Sequence, residues 1–388
     1  MIKLNDLDKE TINWYFKEIK DEVNEKLEEC KSLFDGDFKV SNNNEVLECF
    51  NNIQKNLKNF LIGNNLKKII ESYEEFLNIE VEFTFEIGIT ISLPIKNEEL
   101  ESKYKDLVHL FSHEDVFGEF KLSDTKKKIK ELNKRLRILK KIKNKNKEQS
   151  EKNKLKYKDF FIYIFDYNML NEKDNGTTLR HILLSKMNTK TCPYCGRQYI
   201  TNYNESYSTA DLDHFYSQSK YPYLALNIYN FIPACAVCNR NFKKDKEVKI
   251  NPRVEEFGEN AVFTLGNDIS TYMDMELEDI DIKLDIRTSD TFLAKRIEKN
   301  IDTFKLEEVY EIHNDYVLQM IKDITFRGNE SYLESIKMLF EKDDENEILK
   351  KLKKLIREPY EFRIRENEPL GKLTKDILNE IEKKLEIK

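Results

Sequence analysis

The order of apolar and polar residues divides the chain into stretches of different period. Between residues 8 and 34, Ile12, Phe16, Ile19, Val23, Leu27 and Phe34 recur near every 3.6 residues, which predicts a long amphipathic helix. Val46, Phe50, Ile53, Leu57 and Leu61 predict a second. The period then falls to two. Ile79, Val81, Phe83, Phe85, Ile87, Ile89, Ile91 and Leu93 alternate with polar residues and one glycine. That pattern predicts one long half-buried strand, bent or bulged at Gly88. Ile129, Leu132, Leu136, Leu139 and Ile142 return to helical steps. From Lys143 to Lys156 apolar residues nearly vanish, the composition of a disordered or solvated extension. Apolar character recovers in DFFIYIFDYNML and LRHILLSKM. Later, VFTL at 262–265 and the alternating Ile280, Ile282, Leu284 and Ile286 predict strands. From Thr291 onward the chain reads as acidic helices interrupted near Pro359 and Pro369.

Composition narrows the class. A chain of 388 residues can bury a substantial core and divides into two or three units. No apolar run approaches the roughly 18 to 20 residues of a membrane span. The opening MIKLNDLDKETINWYF lacks the apolar core of a signal peptide. A soluble, cytoplasmic protein with reduced thiols is expected. Net charge is −7, which argues weakly against a polyanion partner, but its distribution is uneven. Residues 126–158 hold 16 Lys/Arg and 3 acids, a local +13 that leaves −20 for the remainder. This basic segment is either a charged linker helix or a surface for an anionic partner, with Lys127, Lys134 and Lys141 among its candidate nucleic-acid contacts.

Six cysteines are present, and four form two CxxC pairs, Cys192/Cys195 and Cys235/Cys238. Each pair is a knuckle that grips one ion with two thiolates, and two knuckles complete the tetrahedral sulfur set that zinc prefers. Cys30 and Cys49 lie on apparent helix faces and are expected in the core.

Between the knuckles stand residues that suit phosphodiester chemistry. Asp213-His214 ends a short alternating run, Asn230 follows sixteen positions later, and Asn239 comes directly after Cys238. An imidazole with an ordinary pKa near 6.5 is a suitable base at neutral pH. Asp213 and Asn239 offer hard oxygens to a divalent ion that keeps waters and phosphate in its other positions. In a regular strand, however, Asp213 and His214 point to opposite faces, so the strand must bend or end there. Asp211 shares a face with Asp213 and is read as structural. Arg240, Lys243 and Lys244 either touch phosphates or offset the charge of a four-thiolate zinc. His109, His113, His181 and His313 lack such a setting and are read as structural.

In this order of CxxC, Asp-His, Asn and CxxC-Asn, the stretch resembles the HNH (ββα-metal, His-Me finger) endonuclease family. The resemblance implies two strands and a helix: ADLDHFY, the loop SQSKYPYLALNI, YNFIP, and a helix starting in CAVCNRNFKKDK. It also implies His214 as general base, Mg2+ or Mn2+ held by Asp213 and Asn239, a bracing role for Asn230, structural zinc, and DNA as substrate. The run from Asp213 through YPYLAL to CAVCN is similar to the HNH subunit of Septu-type antiphage systems, although Ser217-Gln218 replaces the Pro-Lys usual there. That likeness implies a defence role beside an ATPase partner; the chain itself carries no GxxxxGK[ST] phosphate loop. Two alternatives share the same residues: an inactive zinc-stabilised binding module and an RNA-cleaving nuclease. The expected architecture is α+β and mostly helical, with a central nuclease unit stapled by zinc. Its parts are a helical domain with a small sheet (1–125), a basic helix or linker (126–158), the nuclease domain (159–255), and a strand patch followed by acidic helices (256–388).

Overall fold

The computed structural model describes residues 1–34, 39–40, 43–81, 83–85, 89–91, 155–174, 176–203, 205–266, 280–327, 357–364 and 368–384, with isolated helical positions between 131 and 145 and at 347 and 354. The protein is mixed and mostly helical, with small sheets. It forms two compact units, each discontinuous in sequence: one of residues 8–172 and 216–230, the other of 1–7, 173–215 and 231–388. The stretch 159–255 therefore contributes to both.

The first unit, the helical one, starts with α1 (Lys9–Lys31). The side chain of Asp8 accepts from the Thr11 amide at 2.7 Å, a cap of the kind that contributes about 1 kcal/mol. The buried stripe is Thr11, Tyr15, Ile19, Val23, Leu27 and Cys30, so it starts one position away from the expected Ile12 and Phe16. The second predicted helix is two, α2 (Asn43–Lys55) and α3 (Leu57–Ile62), divided at Asn56. α4 (Leu66–Tyr73) is capped by Asn65. Phe34, Phe50 and the Phe160 ring of α5 (Tyr157–Ile164) meet with centroids 5.7–5.8 Å apart. Loop 216–230 belongs here because its polar groups find backbone partners in this unit. Asn227 donates to the carbonyls of Phe60 at 2.8 Å and Gly63 at 3.0 Å, and the Tyr15 hydroxyl donates to Leu226 at 2.8 Å.

The alternating run after residue 79 departs from expectation. It is not one strand. β1 (Lys39–Val40) pairs with β3 (Phe83–Phe85), which pairs in turn with β4 (Ile89–Ile91); β2 (Glu80–Val81) pairs with β5 (Leu155–Lys156). β3 and β4 form a hairpin with Phe83 opposite Ile91 and Phe85 opposite Ile89. Three residues separate the strands, and an odd number preserves parity, so the apolar positions stay on one face after the chain reverses. Residues 86–88, including Gly88, and Leu93 lie outside the described residues. So do Ile129, Leu132, Leu136, Lys127, His109, His113 and most of the polar half of the basic segment. Its described positions between 131 and 145 are helical, and it ends in β5 and the start of α5. Ile138, Leu139 and Ile142 are buried, Lys134 is exposed, and Lys141 pairs with Glu29 at 3.0 Å.

The second unit carries β6 (Lys173–Asp174), β7 (Thr177–Thr178), α6 (Leu179–Met187), β8 (Asn202–Tyr203), β9 (Tyr207–Ser208), β10 (Asp211–His214) and β11 (Phe231–Ala234). β12 (Ala261–Leu265) and β13 (Ile282–Ile286), both expected as strands, pair antiparallel over five residues. Among the described residues, helices α7 (Thr291–Phe304), α8 (Leu306–Tyr310), α9 (Asn314–Arg327) and α10 (Gly371–Lys384) lie beyond them. The chain is helical through Pro359, over 357–364, and breaks at Pro369. Asp376 on α10 accepts from the Phe263 amide of β12 at 2.9 Å. Residues 1–7 join this unit through Ile2 N–H to Pro193 O and Leu4 N–H to Pro252 O. Among the described residues, no helix is long and apolar enough to cross a membrane.

Candidate functional site

The four cysteines converge. The sulfurs of Cys192, Cys195, Cys235 and Cys238 all lie within 4.8 Å of one another, and all four residues are buried. Cys30 and Cys49 are buried in the helical unit, as expected. The first knuckle is closed by Gly196 N–H to Cys192 O at 2.8 Å and Cys192 N–H to Gln198 O at 2.9 Å. Gly196 sits at φ +62°, a left-handed turn that a side chain would strain. In the second, Asn239 N–H reaches Cys235 O at 3.0 Å and Cys238 N–H points at the Cys235 sulfur at 3.5 Å. A tetrahedral zinc with bonds of about 2.3 Å separates its sulfurs by about 3.8 Å, so this cage closes on zinc with small shifts. The donor set fits that ion. The thiols already interact: burial pushes Cys192 well up, while hydrogen bonds from its three neighbours hold Cys195 well down.

The cage is wired to β10. Tyr194, between the first two cysteines, stacks on Phe304 with centroids 4.5 Å apart. Its hydroxyl donates to Asp213 Oδ2 at 2.6 Å. From the other side, Lys243 Nζ donates to Asp213 Oδ1 at 3.0 Å and to the His214 carbonyl at 2.7 Å. Both oxygens of Asp213 are thus committed in the interior, where Asp213 is 4 % and Lys243 1 % exposed. Burial pushes the Asp213 carboxyl above its ordinary value, against the pull of Lys243 and Tyr194.

β10 pairs with β11 from Asp211 opposite Ala234 to His214 opposite Phe231. The ladder stays regular, so Asp211 and Asp213 share one face while His214 takes the other. The His214 ring meets Phe231 edge-on at 5.2 Å, and the residue is 9 % exposed. After β11 the chain enters the second knuckle and a π-helix, Val237–Lys243, where Lys244 N–H reaches back five residues to Asn239 O. That wider turn decides which side chains meet. Asn239 donates to Asp211 at 3.1 Å and Arg240 Nε to the same carboxylate at 2.7 Å. Burial alone would raise the Asp211 carboxyl, but Arg240 and Asn239 hold it below its ordinary value.

Several site residues therefore stand differently from their sequence reading. The Asn239 amide donates to Asp211, whereas Asp213 is engaged by Tyr194 and Lys243. Lys243 is an interior partner of Asp213 and is not available to a phosphate, whereas Arg240 and Lys244 are exposed. Asn230 accepts from the Tyr216 amide at 2.8 Å and donates to the Tyr216 and Leu224 carbonyls at 3.0 Å each. It braces loop 216–230 within the helical unit. Lys134 and Lys141 also belong to that unit. Tyr194 escaped the sequence reading, although its place inside CPYC was the available signal. Compared with known proteins, the chain matches no family model, no curated protein and no solved structure.

Proposed function

We propose that this chain is a metal-dependent endonuclease of the HNH type that hydrolyses DNA phosphodiester bonds, with zinc held by Cys192, Cys195, Cys235 and Cys238 as its structural ion. One observation carries the reading. Within one unit, an Asp-x-Asp-His strand pairs with a strand that runs straight into the second knuckle and the helical turn bearing Asn239. His214 is the general base, imidazole being a side chain suited to accept a proton from water. Asp211, once Arg240 gives up its carboxylate, and the Asn239 side-chain carbonyl would hold Mg2+ or Mn2+, which would supply charge neutralisation at the phosphoryl and leaving oxygens. Lys243 orients the base indirectly, gripping both Asp213 and the His214 carbonyl. Arg240 and Lys244 contact phosphates. A role as effector of antiphage defence beside an ATPase rests on the resemblance in the knuckle region.

The test is nicking of supercoiled plasmid with Mg2+ or Mn2+, with and without a candidate ATPase. His214→Ala should lower the rate by about a hundred- to ten-thousand-fold with zinc retained. Full activity in that variant removes the mechanism, and cleavage of RNA alone moves the substrate. A second reading, a zinc-stabilised binding module without activity, is favoured by the near-complete burial of Asp213 and His214. DNA binding without cleavage under every ion tested would establish it.

A further inference from the structure

The carboxylate proposed to take the divalent ion is already held by a cation of this chain. Arg240 Nε donates to Asp211 Oδ2 at 2.7 Å and its Nη2 donates to Oδ1, a side-on fork that covers both oxygens. Asn239 Nδ2 adds a third donor to Oδ2 at 3.1 Å, which leaves its amide oxygen for another partner. A carboxylate and an amide oxygen are hard donors of the kind Mg2+ and Mn2+ accept. A guanidinium in the fork and a metal ion exclude each other, because both are positive and both need the same lone pairs.

The two partners are held very differently. Asp211 is fixed in β10 opposite Ala234, with its side chain 9 % exposed, whereas the Arg240 side chain is 68 % exposed. Among the described residues, the guanidinium of Arg240 has no hydrogen-bond partner besides Asp211. The carboxylate stays in place and the arginine can swing away without unpacking anything.

The surroundings select what draws it away. The charge of Arg180, in the first turn of α6, acts on the same carboxylate. Arg180 Nη2 lies 3.2 Å from the His181 ring, and its Nε is buried with no hydrogen-bond partner among the described residues. Residues 239–246 carry Arg240, Lys243, Lys244 and Lys246 against Asp245, and Lys243 is committed to Asp213. One carboxylate therefore answers two guanidiniums, and the site holds excess positive charge until an anion arrives. That excess opposes a divalent cation and favours a phosphate, which takes a guanidinium through the same two-pronged geometry as a carboxylate.

We infer that Arg240 is a latch on Asp211, opened by a backbone phosphate of the nucleic-acid substrate, so that phosphate and divalent ion bind cooperatively. The identity of the phosphate rests on the proposed nuclease reading; the latch adds to it an order of loading, phosphate before ion. By linkage, the ion must tighten nucleic acid by the same factor as nucleic acid tightens the ion.

The experiment is Mn2+ binding followed by electron paramagnetic resonance on the zinc-loaded protein, a readout that needs no cleavage. Without nucleic acid, Arg240→Ala should bind Mn2+ about tenfold to a hundredfold more tightly than wild type, the range for losing a two-pronged charge-assisted contact. Asp211→Asn combined with Arg240→Ala should lose that gain. Lys246→Ala, which removes an exposed positive charge near the same turn, should change the affinity by no more than about fivefold. In a His214→Ala background that leaves DNA intact, a duplex of about twelve base pairs should tighten Mn2+ by about fivefold to a hundredfold beyond what the DNA binds alone. Adding Arg240→Ala should abolish that coupling. Zinc content and thermal midpoint should match wild type in Arg240→Ala.

Equal or weaker Mn2+ affinity in Arg240→Ala overturns the inference, as does a gain that survives Asp211→Asn or is matched by Lys246→Ala. A duplex that leaves Mn2+ affinity unchanged also overturns it, because phosphate then does not open the latch. A tighter, duplex-coupled ion in a protein that never nicks DNA supports the latch and counts against the nuclease reading alone. Nicking by a protein whose Arg240→Ala variant binds Mn2+ no better does the reverse.

Discussion

Two ion pairs, one in each unit, show how little a charge count says by itself. Lys141 and Glu29 meet at 3.0 Å with 56 % and 27 % of their side chains exposed. Lys243 and Asp213 meet at the same 3.0 Å with 1 % and 4 % exposed. An exposed pair typically contributes about 0–1 kcal/mol, because water and salt screen it and two long side chains lose freedom. A buried pair is expensive to assemble, and removing one partner leaves a charge with no compensation, at a cost of about 3–5 kcal/mol. The basic segment is conspicuous in the sequence and lightly held in the fold. The single lysine beside His214 is inconspicuous in the sequence and deeply held.

The cage beneath that buried pair sets the largest effect. Cys235→Ser, or stripping of the ion with a chelator, should abolish zinc binding and disorder the knuckles and β10, since structural zinc contributes on the order of 10 kcal/mol to small domains. Elemental analysis and near-ultraviolet circular dichroism check this. Normal zinc content in Cys235→Ser would contradict the four-thiolate site.

Next is the buried pair itself. Lys243→Met should cost about 3–5 kcal/mol in denaturant unfolding, and adding Asp213→Asn should recover part of it. A loss below about 1 kcal/mol would mean that Asp213 is solvated after all. The pH dependence carries a sign. Burial raises the folded carboxyl of Asp213 above its unfolded value, and loss of Lys243 raises it further. The folded state then binds a proton more readily than the unfolded one. The deficit of Lys243→Met should therefore shrink as pH falls toward the raised folded value of Asp213. A deficit that grows on acidification would reverse the assignment.

Tyr194→Phe should follow, at about 1–3 kcal/mol, because it leaves one oxygen of a buried carboxylate without its donor. The smallest effect belongs to the exposed pair. Lys141→Ala should change unfolding by no more than about 1 kcal/mol. A loss as large as that of Lys243→Met would erase the contrast between the two pairs.

How much was legible follows the same division. Covalent spacing announces itself, so CxxC pairs read directly as a four-sulfur cage. VFTL at 262–265 and the alternation over 282–286 read directly as strands, the second because every other side chain is committed to one face. What the sequence withheld depends on turns. The run 79–93 reads alike whether it continues or reverses, since a reversal over three residues keeps the apolar face intact. The π turn at Val237–Lys243 adds a residue that no periodicity reveals, and it brings Asn239 and Arg240 to Asp211 and Lys243 to Asp213. Loop 216–230 looked like a connector inside the nuclease domain. Asn227, a common turn residue, instead ties it to the Phe60 and Gly63 carbonyls of the helical unit, while Asn230 braces it internally.

The discontinuity of the two units has a consequence for synthesis. A ribosome releasing this chain delivers residues 8–172 early, yet the helical unit lacks Tyr216–Asn230 until the first knuckle and β10 have already emerged. The cage must wait in turn for Cys235 and Cys238, and the partner of β12 on α10 comes more than a hundred residues later. At about 5–20 residues per second, that last interval alone is on the order of ten seconds. During it, the thiols and Asp213 exist without their final enclosure, so nascent chains are most exposed to oxidation and misassembly between the appearance of the first CxxC pair and that of α10.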